Sequence, residues 1–166
     1  MLLELKKVFL SEGECLNVCE ALDLSDMELN GCYPLKTPIK VKAAVKNRAG
    51  VVSLAINAEL DYSAPCDRCG EETITPFRYS FDHILVVSLA SQDDDDCDYI
   101  EIPDYTLDLD ELVTADILLE LPVKYLCRED CKGLCPQCGE NLNYGECDCD
   151  ILISDPRLEA LRDLFQ

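Results

Sequence analysis

A chain of 166 residues, 48% hydrophobic and 29% charged, has the size of one ordinary domain with room for a small appended module. It lacks any apolar run near 18 residues, and Met1–Lys7 carries Glu4 inside its short apolar stretch with its lysines on the wrong side for a leader, so the expectation is a cytoplasmic protein without a membrane partner. A formal charge of −20 excludes general attraction to nucleic acid or anionic membrane, and twelve cysteines in a reducing compartment point to metal ligation over a disulfide framework.

In chain order, Leu16, Val18, Glu20, Leu22 and Leu24 alternate as a strand. A β-hairpin follows. Ile39, Val41 and Ala43 alternate with Lys40 and Lys42, a turn falls at Asn47-Arg48-Ala49-Gly50, and Val52, Leu54, Ile56, Ala58, Leu60 and Tyr62 recur at period two. From Asn30 to Ala58 there is no acidic residue, while Lys36, Lys40, Lys42, Lys46 and Arg48 give +5 and leave −25 for the remainder. That strip is either a solvated sheet face or a local anion-binding surface. Phe77, Tyr79, Phe81, His83 and Leu85 predict a further strand, with Ile84–Val87 as its buried end. Asp93–Asp96 predict a solvated acidic loop. Asp108 with Glu111 forms a capping-box-like start for a helix whose stripe is Leu109, Leu112, Val113, Ile117 and Leu121, stopped by Pro122. Asp155-Pro156 starts a terminal helix with Leu158, Leu161, Leu164 and Phe165 on its apolar face.

Six cysteines lie between Cys127 and Cys149, centred on Cys135-Pro-Gln-Cys138-Gly139, and Cys66-Asp-Arg-Cys69-Gly70 has the same form. Two thiolates separated by two residues grip one tetrahedral ion from a tight turn, and a glycine after the second lets the chain turn away at positive φ. A local site would use Cys135, Cys138, Cys147 and Cys149, with Cys127 and Cys131 supplementing it or pairing with Cys66 and Cys69 at a second site. A long-range ribbon would instead unite Cys66, Cys69, Cys135 and Cys138. Closing 65 intervening residues rather than 8 costs only about 2 kcal/mol more, against roughly 10–16 kcal/mol for structural zinc. The compact local site is the preferred reading. Four thiolates saturate the ion, which makes such a site structural and not catalytic. Cys15, Cys19, Cys32 and Cys97 are scattered and read as buried or partly buried free thiols.

His83 is the sole histidine, and there is no phosphate-binding Gly-rich loop or dinucleotide fingerprint, so an enzyme is disfavoured. The order of features is itself recognisable: a basic hairpin, Cys66-Asp-Arg-Cys69, Leu107-Asp-Leu-Asp-Glu111, Leu118-Leu-Glu-Leu-Pro122, then Cys127 through Cys138-Gly-Glu-Asn-Leu-Asn143, Cys147-Asp-Cys149 and Asp155-Pro-Arg157. From about residue 15 onward this resembles the bacterial YceD family, in particular members that keep the C-terminal cysteines. The resemblance implies a role in accumulation or processing of large-subunit ribosomal RNA, with no known enzymatic activity. By position, Cys66, Arg68 and Cys69 match the family's central Cys-x-Arg-Cys motif.

With the resemblance, the expected protein is α+β: a β-rich body over 1–122 with a helix near 108–121, a cysteine-rich zinc-ribbon-like module over 123–150, and a short helix over 151–166 packing on the body. The expected function is that of a non-enzymatic factor for large-subunit rRNA accumulation or maturation, with structural zinc and no small-molecule substrate. Its expected partner is that RNA or its precursor, met directly or through a basic ribosomal protein. Lys36, Lys40, Lys42, Lys46 and Arg48 are the expected RNA contacts. The competing readings are an acidic adaptor for basic ribosomal proteins without RNA contact, and a thiol-redox protein using Cys66 and Cys69.

Overall fold

The computed structural model describes residues 1–88 and 99–149. The chain divides into two units, one made of Met1–Ala64 with Ile74–Val123, the other of Pro65–Thr73 with the chain from Lys124 onward. The described architecture is β-rich with few helices, an α+β arrangement.

The first unit is built on a five-stranded sheet whose order follows the chain: β2 (Cys15–Leu22), β3 (Ile39–Arg48), β4 (Val51–Pro65), β5 (Glu72–Val86) and β6 (Tyr99–Glu101). β2, β3 and β4 pair antiparallel, while β6 runs parallel to β5. The register sets Leu16 opposite Val45 and Val18 opposite Ala43, with Val45 in turn opposite Leu54 and Ala43 opposite Ile56. One face is therefore apolar across three strands, and Ile39, Val45, Leu54, Ile56 and Ala58 are fully buried. Each Leu or Ile sealed this way stabilises the fold by about 1.5–3 kcal/mol, and slipping one strand by one residue would turn its whole set to solvent. The hairpin between β3 and β4 turns at Ala49 and Gly50, both at positive φ (51° and 83°). This sign of φ is what a tight turn matching strand twist requires.

A small two-stranded sheet joins β1 (Leu2–Glu4) to β7 (Thr106–Asp108), with Leu3 opposite Leu107. Between β1 and β2 lies a single helical turn, α1 (Lys6–Leu10). Buried Asn47 ties it to the hairpin by donating its amide to the Val8 carbonyl at 2.7 Å. α2 (Leu109–Glu120) starts as expected, with the Asp108 carboxylate accepting from the backbone N–H of Asp110 at 3.1 Å and Glu111 at 3.4 Å. It buries Leu109, Val113 and Ile117, four residues apart. Its Asp116 Oδ2 lies 2.8 Å from His83 Nε2 on β5, so the sole histidine bridges helix and sheet. Earlier along β5, Phe77 stacks on Tyr79, centroids 5.8 Å apart, and meets Tyr62 edge-on at 6.0 Å.

Two expectations need correction. Ile84–Val87 is not a buried run: β5 keeps its alternation to the end, so Ile84 is 39% exposed and only Leu85 is sealed. Cys15 and Cys19 are exposed, because they lie on the face of β2 opposite its inward-facing Leu16 and Val18. The expected terminal helix over 151–166, the acidic run Asp93–Asp96 and Cys97 lie outside the described residues. Among the described residues, no helix is long and apolar enough to cross a membrane.

Candidate metal centre

The second unit is organised by two knuckles of identical hydrogen bonding. In the first, the Gly70 N–H donates to the Cys66 carbonyl at 2.8 Å and the Cys66 N–H to the Glu71 carbonyl at 2.9 Å. In the second, the Gly139 N–H donates to Cys135 at 2.9 Å and the Cys135 N–H to Glu140 at 2.8 Å. Gly70 and Gly139 hold φ of 70° and 77°, the left-handed turn that lets the chain leave each knuckle.

The two knuckles fall in different four-cysteine groups. Cys66 and Cys69 gather with Cys127 and Cys131, and Cys135 and Cys138 gather with Cys147 and Cys149; within each group the sulfurs lie within 4.8 Å of one another. In the first group Cys66 Sγ is 3.8 Å from Cys131 Sγ, and Cys69 Sγ is 3.7 Å from Cys127 Sγ. Disulfide sulfurs would sit at about 2.05 Å. The edge of a tetrahedron with metal–sulfur bonds of about 2.3 Å is instead close to 3.8 Å. The donor set and its spacing fit a metal ion in each group.

Local structure explains why these cysteines meet. Asp67 clamps the strand of chain before Cys127: its N–H donates to the Tyr125 carbonyl at 2.9 Å and its carboxylate accepts the Tyr125 N–H at 2.7 Å. Arg68 donates its guanidinium to the Cys131 carbonyl at 2.6 Å, and its own carbonyl accepts the Leu134 N–H at 3.2 Å. Gly133, at φ 78°, passes so close that a Cβ there would lie 3.0 Å from the Arg68 oxygen. The first group is sealed: Cys66, Cys69 and Cys131 are buried with Leu126 packed against them. The second is more open, with Cys135 buried but Cys138 exposed.

The sulfurs are electrostatically unequal. Burial pushes the Cys66 thiol up, but backbone N–H donors from Cys127, Arg68 and Cys69 outweigh it and bring it down to about 6. Cys135 is likewise lowered to about 6 by the N–H groups of Cys138 and Gln137. Cys127 is pushed up to about 12 by burial and by the neighbouring thiols of Cys131, Cys69 and Cys66. Cys149 rises to about 12 through Cys138, burial and Cys135. Cys131 is lowered, first of all by the side chain of Asn143. Sequence reasoning did not single out Asn143, whose side-chain amide reaches the Cys131 sulfur. Its signal was the Asn141-Leu-Asn143 stretch between Cys138 and Cys147, polar residues where the loop needed only turn formers.

The basic strip is elsewhere, on the first unit. Lys40, Lys42, Lys46 and Arg48 project from the solvent face of β3, and all are exposed. Lys42 lies between Cys19 and Asn57, and Lys46 between Cys15 and Ser53, all neutral side chains. Lys40 faces Glu59, which also lies 3.9 Å from Arg78. Lys36 precedes the strand and donates to the Ser63 hydroxyl at 3.1 Å, so it is not part of the β3 column.

Comparison with known proteins finds the uncharacterized protein YlbN of Bacillus subtilis 28% identical over 149 residues, covering 89% of this chain and 86% of that protein. The large ribosomal RNA subunit accumulation protein YCED homolog 1, chloroplastic, of Arabidopsis thaliana is 28% identical over 145 residues, covering 70% of this chain and 45% of that protein. An uncharacterized protein of Mycobacterium tuberculosis is 50% identical over 38 residues, 23% of this chain and 18% of that protein. No solved structure matches. The family described as large ribosomal RNA subunit accumulation protein YceD matches residues 54–165, a span that runs from β4 through both four-cysteine groups, and the chain belongs to that family.

Proposed function

We propose that this chain supports the accumulation of large-subunit ribosomal RNA as a cytoplasmic binding factor without catalytic activity, holding one structural zinc ion at each four-cysteine group. The observation that carries the RNA half is charge segregation. In a molecule of −20, the solvent face of β3 presents Lys40, Lys42, Lys46 and Arg48. Phosphate contacts of this kind give affinity without sequence reading, and the acidic remainder limits binding elsewhere on RNA. Lys36 is a peripheral member of the surface, since its ammonium already serves Ser63. The zinc half rests on all-sulfur donor sets at tetrahedral spacing, which favour zinc over hard cations. Four thiolates leave no open position for a reacting water, so the metal's role is to hold the module together.

The test is ultraviolet crosslinking of the tagged protein in its host, followed by sequencing of attached RNA. Crosslinks to a few large-subunit regions are expected, and they should be lost in the Lys42→Glu, Lys46→Glu variant while the protein stays folded. Retention of the same crosslinks in that variant would remove the β3 face from the reading. The acidic bulk favours one second reading, an adaptor for a basic ribosomal protein. Its signature is co-purification of that protein with no RNA attached.

A further inference from the structure

The two four-cysteine groups touch through a residue that ligates neither. Asn143 lies in the loop between Cys138 and Cys147, both of the second group, yet its amide donates to Cys131 Sγ of the first at 3.3 Å. The rest of that loop is fastened to the same wall. The Asn143 Oδ1 accepts the Lys132 N–H at 2.8 Å, the Leu142 N–H donates to the Gly133 carbonyl at 2.9 Å, and the Tyr144 hydroxyl donates to Glu71 at 2.6 Å. Within the loop, Asn141 Oδ1 accepts from both the backbone N–H and the side-chain amide of Asn143, at 3.0 and 2.8 Å, which fixes the direction in which the amide points.

We propose that the two metal sites are thermodynamically linked through Asn143: filling the second site sets the 139–146 loop, and that loop delivers the amide that stabilises the Cys131 thiolate of the first. This rests on the reading that both groups bind metal. A donor aimed at a ligand sulfur stabilises the thiolate form that the ion needs and holds it in place. The two sites need not match in affinity. The buried first site gains a partner from the open second one, so loading the second raises the affinity of the first. Linkage is reciprocal, so the filled first site also tightens the second by the same factor.

The experiment uses the full chain, stripped of metal and titrated with cobalt(II), followed by the ligand-field and thiolate-to-cobalt charge-transfer bands. Two ions per chain are expected. Removing the second site with Cys138→Ser and Cys149→Ser should leave one ion bound about 10–100-fold more weakly than the first-site ion of the fully loaded, unaltered protein, the usual effect of losing an outer-shell partner. Asn143→Ala should weaken the first site comparably, and adding it to the double serine variant should cause no further loss. Asn143→Asp separates support of the loop from donation to sulfur, because its carboxylate still accepts the Lys132 N–H but has no N–H to offer Cys131. It is expected to weaken the first site and shift its charge-transfer band. Unaltered first-site affinity in either the double serine or the Asp variant overturns the linkage while leaving metal binding intact. No cobalt bound to the unaltered chain would overturn the metal reading itself.

Discussion

Cys66 and Cys127 belong to one four-sulfur group yet are driven apart, one down to about 6 and the other up to about 12. The cause is that four sulfurs this close cannot all be anionic without a cation. Those facing backbone N–H groups ionise first, and their charge then holds protons on the others. Cys135 and Cys149 repeat the pattern at the second group. Near neutral pH the metal-free groups therefore keep protons on Cys127 and Cys149, and each ion must displace at least one. The expected outcome is proton release on zinc addition at pH 7.5, read with an indicator dye in weak buffer. Affinity at each site should fall at least about tenfold per unit as pH drops; equal affinity at pH 6.5 and 7.5 would contradict it. Gly133 offers a second residue-scale test. Both its φ and the 3.0 Å approach to Arg68 oppose a Cβ, so Gly133→Ala should destabilise the module by about 1–3 kcal/mol. Chelator-induced unfolding is the measurement, with wild-type resistance as the contrary result.

Among the elements, the hairpin turn stands out because Ala49 holds a φ of 51° without a side chain suited to it. Asparagine tolerates that region where alanine does not. Ala49→Asn should stabilise by about 0.5–1 kcal/mol, raising the urea midpoint at constant slope; a lowered midpoint would show that the turn needs alanine for another reason. The same hairpin was the most legible part of the fold, since β3 and β4 each carry a full period-two pattern within their own residues. α2 was legible for a matching reason, with its cap, stripe and stopping proline all local. β1, α1 and β7 were not: they span 3 to 5 residues, too short for a period to declare itself, and Leu3 finds Leu107 only through the tertiary fold. In β2 the alternation of Leu16 and Val18 already implied that Cys15 and Cys19 point outward, and the general tendency of free cysteine to be buried obscured it. At the metal centre the knuckles and the second group could be read from spacing. The union of Cys66 and Cys69 with Cys127 and Cys131 was one of several pairings the sequence left open, because loop closure discriminates weakly between distant partners.

At the scale of the whole molecule, each filled tetrathiolate site adds −2, so two ions take the formal charge from −20 to −24. Metal loading would therefore make the protein a poorer general ligand for RNA, and the proposed contact would depend more completely on the β3 column. If four basic residues there each meet a phosphate of single-stranded RNA, the logarithm of affinity should fall with that of salt at a slope of about −3. Lys42→Glu with Lys46→Glu should flatten it; a slope near zero in the unaltered protein would exclude phosphate contact. The division of the chain adds a constraint in time. The second unit takes Pro65–Thr73 from the middle of the sequence and the remainder from Lys124 onward. On a translating ribosome, Cys69 is made 58 residues before its neighbour Cys127, an interval of about 3–12 s at ordinary elongation rates. During that interval the first knuckle exists as a bare dithiol, half of its four-cysteine group. The first unit's strands β2 to β4 are by then already synthesised, so they are available to pair while the candidate metal module is still an open pair of thiols.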